Sequence, residues 1–221
     1  NSAPYSQHYH FYQGFINYRW MSSLSGGMLG GAWFDHGDCD ELDFIDQAYQ
    51  TVFAGAKELV IFEFGSFLSG HPGHHLLRQD FEKLVELAYV VASNPVQGVF
   101  GYEPPNSDAG GDLYLMDYIG MLGVSLVPDS KYPENAKVIF LPTQAAADKD
   151  VTEKILKSLN HGAKIIMTTG FLANVTSGEK LASLAQVKWP LVSTSILTEN
   201  IISEGKEQSL KIPIALDYQI V

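Results

Sequence analysis

The sequence predicts an α/β protein: parallel strands in two successive blocks, with a β ribbon at the end. Three features carry this. Helix-type and strand-type segments alternate along the chain. Stretches such as "LVIFEF" (59–64) and "AKVIFLPT" (136–143) are almost continuously apolar, as strands covered on both faces are. After Lys188 the apolar spacing drops to every second residue, the period of a strand with one covered face.

In the first block, Phe11, Phe15, Tyr18 and Ser22 recur at helical spacing with Arg19 beside them, predicting a helix from His8 to Ser23. Ser25-Gly26-Gly27 breaks it, and Met28 to Phe34 reads as a strand. Asp40 can cap a helix over Glu41–Ala56, where Leu42, Ile45, Tyr49, Val52, Phe53 and Ala56 form one stripe. The strand "LVIFEF" follows, then a loop, "GSFLSGHPGHH". From Gln79 a helix sets Phe81, Leu84, Val85, Ala88, Val91 and Ala92 against Glu82, Lys83 and Glu86, and stops before Pro95. A helix between successive strands is the connection that parallel pairing needs.

The second block opens with the strand "QGVFGYEP" and the loop "PNSDAGG". A helix follows with Leu113, Met116, Ile119 and Gly120 on one face, then the strands "GVSLVP" and "AKVIFLPT". Asp148 caps a helix that turns Val151, Ile155 and Leu159 inward, closed by Asn160-His161-Gly162, and "AKIIMTTGF" is the next strand. The order is that of a doubly wound domain, hinged to the first block near Ser93–Gln97. "PLVSTSILTEN" and "QSLKIPIALDYQIV", around the turn "SEGKEQ", predict an antiparallel ribbon. The expected domains are residues 1–94 and 95–221.

Composition narrows the function. A formal net charge of -11 opposes a phosphate backbone, so no nucleic-acid partner is expected. No apolar run approaches the roughly 18 residues of a bilayer span, so no membrane partner is expected either. Cys39 is the single cysteine, which leaves no internal disulfide and no cysteine-based metal cluster. Its acid-rich loop raises a thiol pKa, making it a bystander. "TTGF" lies where a doubly wound domain binds ligands, but no G-x-G-x-x-G or Walker motif accompanies it, so no nucleotide or other cofactor is expected. "NVTS" (Asn174 onward) fits the glycosylation pattern, a triplet frequent by chance. The first residues lack an initiator Met, a basic n-region and an apolar h-region, and the last stop inside a β-type run. Both ends read as cut from a longer polypeptide, and the compartment stays open between the cytoplasm and, after N-terminal processing, the periplasm or exterior.

One stretch changes character midway: "GAWFDHGDCDE" (31–41) passes from apolar strand to a burst of acids. Strand parity puts Trp33 and Asp35 on one side, and Leu59, Ile61 and Glu63 on one side of their strand. Both acids fall at C-terminal ends of strands expected to be parallel, where α/β folds place ligand sites. A carboxylate in an apolar strand is costly unless it faces a polar pocket; the plainer reading is that it satisfies backbone N–H groups or an arginine. If the strands are neighbours, the loops "HGDCDE" and "GHPGHH" rim one opening with His36, Asp38, His71, His74 and His75. A divalent metal could use His and Asp there, but the spacing matches no established motif. A polar rim that hydrogen-bonds a substrate is preferred, and no metal site is expected.

Residues from about Tyr9 to Ser93 resemble the last two βα units of a (β/α)8, or TIM-type, barrel glycoside hydrolase, similar to the family 42 β-galactosidases. "GGAWFDHG" stands as strand seven, "AYQTVFAGAKELVIFEFGSF" as the helix and strand eight, with the closing helix from Gln79. From about Gln97 the chain resembles the class I glutamine amidotransferase-like, flavodoxin-type domain that follows the barrel in those enzymes. "GYEPPNSDAGGDLYLMDYIGMLGVSLVP" and "AKVIFLPTQAAADKDVTEKILKSLNHGAKIIMTTGFL" carry that likeness. The resemblance implies a carbohydrate substrate and a second domain that supports a homo-oligomer and shapes the site. Amide chemistry is not implied, because "MTTGF" has no cysteine where those enzymes need one. The related hydrolases place a nucleophilic Glu on strand seven and an acid/base Glu on strand four. Here strand seven ends in Asp35, Glu63 falls on strand eight, and strand four is absent from these residues, so half a two-carboxylate site is expected at most. The implied roles are nucleophile or transition-state stabiliser for Asp35 and positioning or protonating a sugar hydroxyl for Glu63. Trp33, His36, Asp38, His71 and His74 would line the pocket. The competing readings are a non-catalytic ligand-binding or oligomerisation module and a metal-dependent hydrolase built on the histidines.

Overall fold

A computed structural model describes residues 12–34, 36–37, 39–62, 64–191, 193–203 and 205–219. The aromatic stretch forms helix α1, Gln13–Leu24, burying Phe15, Ile16, Tyr18 and Ser22; its expected start at His8 lies outside the described residues. Strand β1 is Gly31–Phe34, shorter than the Met28–Phe34 expectation, with Met28 solvent-exposed. Helix α2, Glu41–Phe53, begins where Asp40 accepts hydrogen bonds from the Leu42 and Asp43 N–H groups, both at 2.9 Å. That is the capping predicted from sequence, and it satisfies two of the donors a helix start leaves open. Leu42 and Phe53 nevertheless turn outward.

Strand β2, Glu58–Ile61, pairs parallel to β1, from Gly31↔Glu58 to Phe34↔Ile61. The stretch expected as a loop is mostly helical instead. Gly65–Ser69 form α3, and α4 runs over Gly73–Ser93, starting before Gln79. Pro72 at φ -64° is already set for helix entry. Phe34, Phe44, Ile45, Ala48, Val52 and Leu84 make the core between this strand pair, α2 and α4. The seat offered by two strands is narrow, so Phe81 and Val85, expected to face inward, are exposed.

In the second block, β3 is Val99–Tyr102, followed by a 3-10 turn at Gly110–Asp112 and helix α5, Leu115–Met121. Leu113 precedes that helix and is exposed rather than buried on its face. Strands β4 (Leu126–Asp129) and β5 (Val138–Leu141), a second 3-10 turn (Thr143–Ala147), helix α6 (Val151–Asn160) and strand β6 (Lys164–Met167) follow. Short helices α7 (Thr169–Asn174) and α8 (Gly178–Leu184) come next. The four strands lie in the order β4-β3-β5-β6, every pair parallel.

Asp148 works differently from the expectation. Its carboxylate accepts from the Tyr102 hydroxyl at 2.8 Å, Lys154 at 2.6 Å and the Asp150 N–H at 2.9 Å, while Asp150 takes the cap position. Leu159, expected inward, is exposed. The Gly162 stop holds, at φ +83° with Ala163 N–H bonded back to the Ser158 carbonyl. Strands β7 (Ser193–Ser203) and β8 (Lys206–Gln219) pair antiparallel up to Ser203↔Lys206. The connection is therefore tighter than the "SEGKEQ" turn predicted.

The chain is thus mixed α/β with parallel sheets. Both faces of the four-stranded sheet are covered. Ile139 and Leu141 pack with α6, α7 and α8, whereas Leu126 and Phe140 share a cluster with Met116 and with Phe15, Ile16 and Tyr18 of α1. Leu29, Ala32 and Ala54 join that second cluster, so α1 lies between the two sheets and gives both blocks one core. Among the described residues no helix is long and apolar enough to cross a membrane.

Candidate functional site

Strand alternation gives the β1–β2 pair two different faces. Ala32 and Phe34 are buried toward α2 and α4. On the other face Trp33 is 41% exposed, Val60 41% and Phe62 53%, and the Trp33 and Phe62 rings sit 5.3 Å apart. The Tyr18 hydroxyl, on α1, donates to the Trp33 carbonyl and pins the strand there.

Beside Trp33 opens a cleft of about 490 Å³, walled by Asn17, Tyr18 and Trp20 of α1, by Gly31 and Trp33 of β1, and by Glu103 just past the end of β3. Glu103 is held from both sides. Its N–H donates to the Asp129 carbonyl at 2.9 Å, and its own carbonyl accepts the Trp20 indole N–H at 2.8 Å. Among the described residues its carboxylate has no hydrogen-bond or ion-pair partner. Burial raises that carboxyl above the ordinary range for Glu. A larger cleft, about 720 Å³, includes Asp129 and Glu134. There the acids are already engaged: Asp129 accepts from Ser23 and the Lys131 N–H, and Glu134 pairs with Lys157. Of the acids lining these two clefts, Glu103 is the one without a side-chain partner among the described residues, and sequence reading missed it. The signal was present in "QGVFGYEP", where an acid follows a parallel strand, the same rule that singled out Asp35 and Glu63.

The histidines gather elsewhere. Their two loops do converge, because β1 and β2 are neighbours and Phe62 N–H bonds to the Phe34 carbonyl at 2.7 Å. The His36 and His71 rings lie 5.8 Å apart and those of His71 and His74 6.2 Å, with His74 stacked on Phe67 at 3.9 Å. Nε2 of His71 is 3.1 Å from the Cys39 carbonyl, and its Nδ1 accepts from the Gly73 N–H. Burial, then the neighbouring His71 and His36, holds His74 below the usual histidine range. His71 and His74 pack on Phe44, which itself packs on Phe34. They therefore lie on the helix side of β1, and Trp33 on the other. Asp35, Asp38 and Glu63 lie outside the described residues. Among the described residues no three His, Cys, Asp or Glu side chains are placed to hold a metal ion.

At the ends of β5 and β6 the second sheet is closed by its own side chains. Asp112 accepts from Thr143 N–H (2.8 Å), Thr143 Oγ1 (2.7 Å) and Thr168 Oγ1 (2.7 Å), and Thr168 in turn caps α7.

Comparison with known families follows the same two blocks. Residues 1–90 match the family described as "Probable glycosyl hydrolase, catalytic domain", so the first block is a probable glycosyl hydrolase catalytic domain, which implies a carbohydrate substrate. Residues 98–220, more than half of the 221, match the one described as "Uncharacterized protein SSO3021, second domain", and the chain belongs to that family. No curated protein and no solved structure matches the chain.

Proposed function

We propose that this protein is a glycoside hydrolase of β-galactosidase-like type acting on O-glycosidic bonds. The observation that carries it is the β1–β2 pair: two parallel strands, helices on one face, and an uncovered face bearing Trp33, Val60 and Phe62. Adjacent strands of a (β/α)8 barrel look like this, with the bare face toward the barrel interior and the active site at the strand C-termini. The match of residues 1–90 to a glycosyl hydrolase catalytic domain supports the same reading. In this reading residues 1–94 are barrel and 95–221 an amidotransferase-like domain, whose strand order β4-β3-β5-β6 is that of flavodoxin-type sheets. With Thr168 rather than cysteine after β6, that domain has no amide chemistry and serves homo-oligomerisation.

Asp35 is the nucleophile or transition-state stabiliser, and Glu63 positions or protonates a sugar hydroxyl. They follow neighbouring strand ends, and a two-carboxylate mechanism needs its groups roughly 5–9.5 Å apart. Trp33, His36 and Asp38 line the substrate path, and His71 and His74, packed on Phe44 at the helix side of β1, stand at its outer rim. The test is hydrolysis of a panel of 4-nitrophenyl glycosides by the native protein. Asp35→Asn and Glu63→Gln should each lower kcat by about 10²–10⁴. Wild-type turnover in the double variant would overturn the assignment.

A further inference from the structure

We infer that the cleft between α1, β1 and the end of β3 is a saccharide subsite, with the apolar face of a sugar ring on Trp33 and its hydroxyls donating to Glu103. This rests on the glycosidase reading and adds to it a binding residue from the second block.

The geometry supplies each part. The Trp33 ring is 41% exposed beside the cleft and is braced by the tilted Phe62 ring, so an aromatic surface is open to a ligand. Such surfaces suit the C–H face of a pyranose, which is apolar and flat. Glu103 supplies the opposite requirement. An ionised carboxylate only accepts hydrogen bonds, and its two oxygens can take two adjacent hydroxyl donors at once. Every other partner is absent among the described residues, although the group is half-buried. A half-buried carboxylate left without a partner is costly, and neutral hydroxyls relieve that cost without a counter-ion. The backbone on both sides of the carboxylate is tied, by Asp129 and by Trp20, so little ordering remains when ligand arrives. The cleft's volume of about 490 Å³ falls within the range of small-molecule sites, roughly 300–1,000 Å³.

The experiment uses the full chain with the 4-nitrophenyl glycoside it cleaves best, and the corresponding methyl glycoside as a binding probe read by tryptophan fluorescence. Glu103→Gln should raise KM and the methyl glycoside Kd by about tenfold to a hundredfold, the worth of a charged hydrogen bond. kcat should change by less than about threefold, the pattern of lost ground-state binding. Glu103→Asp should restore part of the affinity, and Trp33→Leu should weaken binding to a similar extent. If Glu103→Gln lowers thermal stability, the exposed Trp33→Leu variant carries the same expectation on its own. KM and Kd unchanged in both variants, while Asp35→Asn still abolishes turnover, would overturn the subsite and leave the glycosidase reading standing. A native protein that neither binds nor cleaves any glycoside of the panel would overturn both.

Discussion

The indole N–H of Trp20 donates to the backbone carbonyl of Glu103 at 2.8 Å, joining positions 83 apart in the chain. Other hydrogen bonds from α1 to the second sheet run from Ser23 Oγ to Asp129 at 2.5 Å, and between Ser23 Oγ and both the hydroxyl and the N–H of Ser130, each at 3.0 Å. Together with the shared core around Phe15, Met116 and Leu126, they set the first block against the second. Trp20→Phe keeps the ring and removes the donor. It should cost about 0.5–1.5 kcal/mol in urea unfolding, and loosen the Glu103 backbone enough to weaken methyl glycoside binding. An unchanged urea midpoint would show that the bond contributes nothing to the contact.

Asp112 ties the ends of β5 and β6 through three hydrogen bonds. Asp112→Ala leaves the Thr143 N–H and two hydroxyls without their acceptor. The expected loss is about 2–4 kcal/mol, several charge-assisted bonds less what water recovers. Amide exchange should show the loss at β6 and α7 first. Uniform loosening of the whole chain would contradict this placement.

Asp117 on α5 is 2% exposed, and burial lifts its carboxyl to about 7, outweighing the opposing influence of the Tyr12 backbone. A folded-state pKa above the unfolded one means that the native protein holds the proton longer. Stability from this group is complete below about pH 4 and falls as pH rises toward 7, by at most about 1.4 kcal/mol per pH unit. Asp117→Asn should flatten that decline and leave the variant more stable than wild type at pH 8. Parallel stability–pH curves for the two proteins would refute it.

Gly73 opens α4 directly against Phe44, where a Cβ would come within 2.6 Å of the ring. Gly73→Ala should cost about 1–3 kcal/mol by overpacking. It should also disturb His71, whose Nδ1 accepts the Gly73 N–H. NMR titration should then report shifted His71 and His74 resonances. Unmoved histidine signals together with native stability would mean that the ring yields freely.

Much of the fold was legible because its causes are local. Asp40 followed by an apolar stripe marks a helix start wherever it occurs, and α2 begins there. The apolar runs at 59–61 and 138–141 became parallel strands as expected, although among the described residues the first is covered on one face only and leaves Val60 exposed. The misreadings had non-local causes. "GSFLSGHPGHH" looks like a loop from its glycines and histidines, yet Pro72 and the Phe44 ring allow α4 to start at Gly73. Phe81, Val85 and Leu159 are apolar at inward spacing, but no neighbouring element among the described residues reaches far enough to cover them.

The site divides in the same way. Trp33 and the histidines stand out as candidates from residue type and strand position, since chemistry and parity are properties of short segments. Which face each group serves could not, because that depends on where α2 and α4 settle against β1. Glu103 is the sharpest case: in the sequence it is one acid after one strand. It becomes a carboxylate beside Trp33, without a partner among the described residues, only when α1 packs between two sheets and brings together segments that no local pattern connects.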